Sequence, residues 1–384
     1  MKCLECNQDI GEFVSPHITT HHGMTYFDYV TKHKDQGVNP EIHAVKNFVK
    51  PVAAKKPENF TYEGITFQVN PNIPATACLP MPLNYRFPQS GELKEQTKNV
   101  MRALSKRRHI YLAGPTGTGK DALVSAVSAL CRLPAIMLSI KPQTDIRSWL
   151  YSRGFDKEKT TWETGVLFRA LTEGYVDDNG TRHPYIVVLT DFDRADKTQM
   201  EHLRAILDSI EGRVEGPQGK LHPVVPGTVI YATANTIGSG DTRRNRYTSS
   251  NLIDSSLMRR FPYILQFTNW MDWADEREIL GLSFPLLARK LVFQEAMGKI
   301  IGQIRTFYRK GEIQDEMSIR DVMSMYTYLT DIIDVEGDIY DEATLVSQSI
   351  KYWMNRVDDV HSQNKISSSL DSIFNSLGDL KRNK

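Results

Sequence analysis

The run Gly114-Pro-Thr-Gly-Thr-Gly-Lys-Asp121 constrains this chain more than any other stretch. It lies between an apolar run, His109–Ala113, and an apolar helical segment, Ala122–Leu130. Strand, glycine loop and helix in that order turn backbone N–H groups inward on an anion, and the helix start adds the positive end of its dipole. Gly114, Pro115, Thr116, Gly117, Thr118, Gly119, Lys120 and Asp121 are therefore the candidate phosphate-binding residues, with Lys120 set to reach the β- and γ-phosphates of ATP. The pattern G-x-x-x-x-G-K-[S/T] asks for a hydroxyl after the lysine, where it ligates Mg²⁺; this chain has Asp121 instead.

A second departure lies downstream. Ile186-Val-Val-Leu-Thr-Asp-Phe-Asp193 reads as the other phosphate-site strand, and it carries Thr190 where a metal-side aspartate is expected. Two registers are open. If Asp191 takes the metal side, Phe192 falls at the catalytic position and base catalysis is lost. If Thr190 takes it, Asp191 becomes the water-activating carboxylate, one methylene shorter than the usual glutamate. The site is then either rewired or inactive.

Around these motifs the chain alternates helical segments with five short apolar runs: His109–Ala113, Ala135–Ser139, Tyr185–Thr190, Thr228–Thr233 and Tyr263–Phe267. Runs this short and rich in Val, Ile and Leu fit buried parallel strands, so a three-layer α/β domain is expected. The predicted organisation is a Cys/His-rich head over 1–33, a Lys/Pro/Ala linker over 34–59 and the α/β domain over 60–268. The last opens with a hairpin and an extended lead-in. A helical lid over 269–355 and a polar tail over 356–384, fraying or docking loosely, complete the chain. Gly212–Leu221 reads as a hairpin with Gly216-Pro-Gln-Gly219 at its tip.

Composition narrows the class. With 40% hydrophobic and 24% charged residues and a formal net charge of +1, the 384-residue chain reads as soluble and globular, not as a generally basic nucleic-acid coat. No apolar run approaches membrane-spanning length and no signal-peptide core opens the chain, so a cytoplasmic location is expected. Four cysteines make no disulfide framework in a chain this long. Cys3 and Cys6, followed by His17 and the pair His21-His22, have the order and spacing of a two-Cys, two-His zinc site. Residues 1–60 carry as many basic as acidic side chains, so this head would hold nucleic acid weakly unless several copies act together.

Two resemblances sharpen these readings. Ala232-Thr-Ala-Asn-Thr-Ile-Gly-Ser-Gly-Asp-Thr242, followed by Tyr247, Asn251 and the Arg-aromatic pair Arg260-Phe261, resembles the ATPase subunits of cobaltochelatases (the CobS family). These belong to the MoxR-like branch of the AAA+ ATPases, and the likeness covers roughly residues 80–345. The resemblance aligns Thr190-Asp191-Phe192-Asp193 with that family's Asp-Glu-aromatic-Asp, favouring the second register. It implies ATP as substrate, Asp191 as catalytic carboxylate, Asn235 as sensor and Arg260 as an arginine finger acting on a neighbouring subunit, with Arg259 the near alternative. Met317-Ser-Ile-Arg320 resembles the family's Met-Ser-Pro-Arg and makes Arg320 a second sensor. Family members place a hydroxyl on the loop and a carboxylate on the strand for Mg²⁺; here Asp121 and Thr190 are expected to have exchanged those parts. Retention of Lys120, Asp191, Asn235, the arginine pair and Arg320 together favours an active site.

The family further implies that Gly212–Leu221 interrupts the second helix, that the chain forms a homo-oligomeric, hexameric ring, and that it remodels a partner with a von Willebrand A domain. Gly23-Met-Thr-Tyr-Phe-Asp-Tyr29 resembles the extension after the finger in Ros/MucR bacterial regulators. That likeness selects His22 over His21, giving Cys3, Cys6, His17 and His22 as the Zn²⁺ ligands. Two rival functions stay open: a finger-targeted nucleic-acid motor, with Arg243, Arg244 and Arg246 as a contact patch, and a non-hydrolysing scaffold that assembles on ATP.

Overall fold

In the computed structural model, residues 59–156, 159–210, 212–237 and 250–370 are described. The chain divides into two units, Met1–Pro57 and Glu58–Lys384. All described residues belong to the second. Cys3, Cys6, His17 and His22 lie outside them, as do linker residues 34–58 and Arg243, Arg244, Arg246 and Tyr247.

The described unit opens with a hairpin, β1 (Asn59–Tyr62) and β2 (Ile65–Gln68), turned by Glu63 and Gly64, both at positive φ. An extended lead-in runs over helix α2 (Lys120–Cys131), where Ser128 Oγ accepts the Leu79 N–H at 2.9 Å. Helix α1 (Gly91–Ser105) precedes it in the chain and buries Leu93, Val100, Met101 and Leu104.

Five parallel strands follow: β3 (Ile110–Ala113), β4 (Ala135–Ser139), β9 (Ile186–Thr190), β12 (Val229–Ala234) and β13 (Tyr263–Gln266), in the spatial order β13-β3-β12-β9-β4. They match the five apolar runs. Side chains alternate across the sheet. Ile110, Leu112, Ile186, Val188, Val229 and Tyr231 pack under α1 and α2. Tyr111, Val187, Leu189, Ile230 and Ala232 face the opposite layer. That layer is α3 (Ile146–Leu150), α4 (Val166–Thr172), α5 (Lys197–Ser209) and the short α6 (Ser255–Met258). A sheet buried on both faces explains why its strands read as unbroken apolar runs.

Three further hairpins decorate the sandwich: β5 (Tyr151–Asp156) with β6 (Lys159–Thr164), β7 (Tyr175–Val176) with β8 (Arg182–His183), and β10 (Arg213–Glu215) with β11 (Leu221–Pro223). The last has the expected tip, with Gln218 and Gly219 at φ 64° and 75°. Its position corrects the sequence reading, because it follows α5, the helix after β9, and precedes β12. The helix that is interrupted is the one after β4, split into α3 and α4 by β5–β6. Gly165 closes that hairpin's base by donating to Leu150 O at 2.7 Å. A Cβ at Gly165 would stand 2.3 Å from Trp149 O, so only glycine lets the chain pass there.

After β13 the chain is helical: α7 (Trp273–Ser283), α8 (Pro285–Ala288), α9 (Leu291–Lys310), α10 (Ile319–Glu336) and α11 (Glu342–Met354). Their core includes Phe293, Met297, Ile301, Met325, Leu329 and Trp353. The start of the segment expected to fray or dock loosely is docked on the lid. Residues 360–370 are helical, Ile366 joins this core, and Ser362 Oγ accepts the Gln314 N–H at 3.1 Å. Lys365 adds an ion pair with Glu312 at 3.2 Å and lies over the Phe307 ring, and Leu370 packs on the same core, so a helix that composition marks as polar is docked by a few specific contacts.

Candidate functional site

The glycine loop leaves β3 at the C-terminal edge of the sheet, where open α/β sheets hold ligands. A Cβ on Gly114 would lie 2.5 Å from Phe267 O, so the loop is pressed against the end of β13. Gly117 is left-handed (φ 74°) and meets the lid: a Cβ there would be 2.5 Å from Ser318 Cβ. The Thr118 hydroxyl braces the loop by donating to Pro115 O at 2.9 Å. Among the described residues no backbone carbonyl accepts from the N–H groups of Gly117, Thr118 or Gly119. These groups and the N-terminus of α2 form an anion cradle, which fits a nucleotide's phosphates. Lys120 is buried and folds back over the loop, donating to Gly114 O (2.7 Å) and Pro115 O (2.9 Å). Burial lowers its pKa, while the carboxylates of Asp121, Asp193, Glu316 and Asp191 counteract that shift.

Asp121 stands in the first turn of α2, and Thr233 Oγ1 on β12 donates to its Oδ1 at 2.7 Å. Strand β12 lies between β3 and β9, and Ala232 pairs with Leu189. The next residue on each strand, Thr233 and Thr190, continues that register on the α2 face. Thr190 is buried at the end of β9. The structure thus places a second hydroxyl between the two residues of the expected exchange. A carboxylate with two hydroxyls is an all-oxygen donor set of the kind Mg²⁺ takes.

Beyond Thr190 the strand breaks sharply. Asp191 is left-handed (φ 56°, ψ 38°), a conformation that costs a non-glycine residue about 1 kcal/mol or more and that clusters at functional positions. Its side chain is about a third exposed and lies 3.4 Å from Arg194 Nε; Ser139 Oγ donates to it at 3.4 Å. Phe192 turns the other way, into the core, edge-on to Tyr111 and Phe261 with centroids 5.8 and 5.6 Å away. The first register would therefore put a core ring at the water-side position. Asp193 is fully buried, and its Oδ2 accepts the N–H groups of Asn235 and Thr236, both at 3.1 Å. Asn235 is half-buried at the end of β12, where its strand delivers it beside Asp193.

The lid reaches the loop at two points. Trp270 Nε1 donates to Thr116 O at 3.4 Å, and Ser318 packs on Gly117. Ser318 is also the N-cap of α10, in a reciprocal capping box with Asp321. Arg305 joins the two contacts: it donates to Met317 O (2.8 Å), pairs with buried Glu276 (2.9 Å) and stacks 5.3 Å over the Trp270 ring. Arg320 is exposed in the first turn of α10 and lines a cavity of about 300 Å³ with Thr116, Glu316 and Arg356. Arg356 contacts Asp321 Oδ1 at 3.4 Å.

Arg260 lies apart. Its Nε and Nη2 bind both oxygens of Asp208 on α5, at 2.5 and 2.7 Å, and Nη1 donates to Ser256 O. Among the described residues it bonds to no group of the glycine loop, and Arg259 beside it is exposed. The site so assembled brings Lys120, Asp121, Thr190, Asp191 and Asn235 to one sheet edge, with Arg320 facing Thr116 across the lid. Sequence reasoning missed Thr233, Ser318 as a loop contact, Asp193 and Arg356. Asp193 had a signal, the second acid of Asp191-Phe192-Asp193. The others depend on pairings between distant segments.

Residues 109–261 match the family described as AAA domain, dynein-related subfamily. This segment has the AAA+ fold. The AAA+ segment also resembles Midasin from Giardia intestinalis, 30% identical over 146 residues, covering 38% of this chain and 3% of that protein. Midasin from Dictyostelium discoideum is 24% identical over 240 residues, covering 59% of this chain and 4% of that protein. The chain thus spans a small part of the curated relatives it matches. Among solved structures, the Thermotoga maritima RuvB Holliday junction branch migration motor superposes with a TM-score of 0.42 at 15% identity, over 68% of this chain and 69% of that one. Among the described residues of the AAA+ unit and its lid, no group of three or more His, Cys, Asp or Glu is placed to hold a metal, and no helix is long and apolar enough to cross a membrane.

Proposed function

We propose that this protein is a ring-forming AAA+ ATPase that couples ATP binding and hydrolysis to remodelling of a protein partner. The observation that carries the reading is the convergence at one sheet edge of a glycine cradle with free amides, a buried lysine folded over it, a strained Asp191 and a lid seated on Gly117. In this reading the cradle N–H groups and Lys120 bind the triphosphate, and Lys120 leaves the Gly114 and Pro115 carbonyls to do so. Asp191 accepts a proton from the attacking water, Asn235 orients that water, and Arg320 senses the nucleotide from the lid. Asp121, Thr190 and Thr233 would hold Mg²⁺, which when bound neutralises charge on the phosphates. Arg260 serves a neighbouring subunit's site, Arg259 being the alternative, and Asp208 holds its guanidinium.

The finer assignment follows the resemblance: a MoxR/CobS-type motor, hexameric, cytoplasmic, working on a von Willebrand A-domain protein, with a Zn²⁺ head on Cys3, Cys6, His17 and His22. A nucleic-acid motor guided by that head is the rival, marked by DNA-stimulated turnover that falls steeply with salt. A scaffold that binds ATP without hydrolysis is the other. The test is phosphate release and nucleotide binding by wild type, Lys120→Ala and Asp191→Asn. Wild type turns over, Lys120→Ala loses nucleotide binding, and Asp191→Asn binds ATP but loses roughly a hundredfold or more in kcat. Tight binding with no phosphate release by the assembled wild type would overturn the ATPase reading in favour of the scaffold.

A further inference from the structure

Asp193 is the most completely enclosed carboxylate near the site, at 0% exposure, and the proposed chemistry does not use it. Its hydrogen bonding is one-sided. Oδ2 accepts from Asn235 N and Thr236 N (3.1 Å each), Thr236 Oγ1 (3.1 Å) and Ser250 Oγ (2.8 Å). Oδ1 is buried with no hydrogen-bond partner among the described residues. The main chain adds a fifth tie, since Asp193 O accepts the Asn251 N–H at 2.6 Å. Gathering four on one atom fixes those donors relative to one another. On the other side, Asp193 sits in the tight turn that begins at Asp191, where Arg194 N donates to Asp191 O at 2.9 Å.

We propose that Asp193 is a positioning residue that locks the Asn235 backbone, and hence its amide side chain, to the turn carrying Asp191. The two groups assigned to the attacking water come from different strands, β9 and β12. Both stand just past the last pair of the β12–β9 ladder, Ala232 with Leu189, so ladder hydrogen bonds do not fix their separation; residues 236 and 250 flank the loop that follows β12. Asp193 gathers both ends of that loop at one oxygen. Charge-assisted bonds to amide N–H groups, shielded from water, supply the rigidity. The inference rests on the ATPase reading for its catalytic consequence and on geometry alone for the tie.

Two variants separate positioning from folding. Asp193→Ala removes all four side-chain bonds. Asp193→Asn can present its carbonyl oxygen to the same four donors, with its NH₂ where Oδ1 now makes no bond. Steady-state kinetics should show Asp193→Ala losing about tenfold or more in kcat with KM for ATP within about twofold, and Asp193→Asn recovering at least about a third of wild-type kcat. Asp193→Ala/Asn235→Ala should be no slower than Asn235→Ala alone, because the tie acts only through that residue. Amide hydrogen exchange at Asn235 and Thr236 should accelerate in Asp193→Ala and stay protected in Asp193→Asn. Multiplying losses in the double variant, or unchanged exchange at 235–236 in Asp193→Ala, would overturn the proposal. So would an Asp193→Asn protein that fails to fold, since that marks a purely structural carboxylate. If wild type releases no phosphate, the ATPase reading fails by itself, and the tie stands or falls on the exchange data.

Discussion

Asp121 is bound by a residue that no motif points to. Its partner Thr233 occupies the strand between the glycine loop and Thr190, so the proposed exchange of metal-side groups would involve a carboxylate and two hydroxyls. If the exchange is compensatory, Asp121→Ser and Thr190→Asp should each lower ATP turnover by about tenfold or more, and the pair should restore much of it. Additive losses in that cycle would show two independent defects. Thr233→Val should hurt wild type more than Asp121→Ser, where its hydrogen-bond partner is already gone. Asp208 poses a similar question at the far site. Arg260 holds its carboxyl below the usual range. A depressed acid contributes its stabilisation above the unfolded pKa and loses it as pH falls through the folded one. The pair is therefore intact at neutral pH and must be probed by mutation. Asp208→Asn should lower kcat in wild type and have no effect in an Arg260→Ala background. Equal losses in both backgrounds would show that Asp208 does not act through Arg260.

Among the elements, those marked by an apolar run or by a turn signal could be read in advance, and a hairpin with neither could not. Strands β3, β4, β9, β12 and β13 were legible within a residue or two because hydrophobic burial on two faces leaves no polar alternation to interrupt them. The β5–β6 hairpin was not. Its ends, Tyr151-Ser-Arg-Gly154 and Thr161-Trp-Glu-Thr164, are mixed in polarity and show no apolar run. Helix α10 shows how one residue serves two levels, with Ser318 capping it and touching Gly117. Ser318→Ala should cost about 1 kcal/mol in thermal unfolding through the lost cap. It should also change nucleotide affinity, measured by titration with a fluorescent ATP analogue, because the same side chain seats the lid on the loop. An unchanged affinity with the stability loss would confine Ser318 to capping.

For the whole molecule, the lid contacts through Trp270 and Ser318, joined by Arg305, make the helical unit and the glycine loop mechanically continuous. A ring of such units predicts that Asp191→Asn, trapped with ATP, sediments as a larger species than wild type without nucleotide. Mixing Lys120→Ala with Arg260→Ala should also restore part of the turnover that each lacks alone, because some interfaces then pair an intact site with an intact finger. Failure to recover any turnover from the mixture would argue against an arginine acting in trans. The sequence by itself determined the α/β class, the five strands, the glycine loop and the main candidates Lys120, Asp191, Asn235 and Arg320. The class, the strands and the loop with Lys120 depend on local periodicity and on a short motif whose spacing is covalent. The parts given to Asp191, Asn235 and Arg320 depend on the family resemblance of the segments that carry them. Tertiary structure alone decided that Thr233 stands between Asp121 and Thr190, that Asp208 holds Arg260, that the split helix is the one after β4, and that Ser318 closes on Gly117. Each of these is a contact between segments far apart in the chain, set by how the sheet orders its strands and by where the lid folds back.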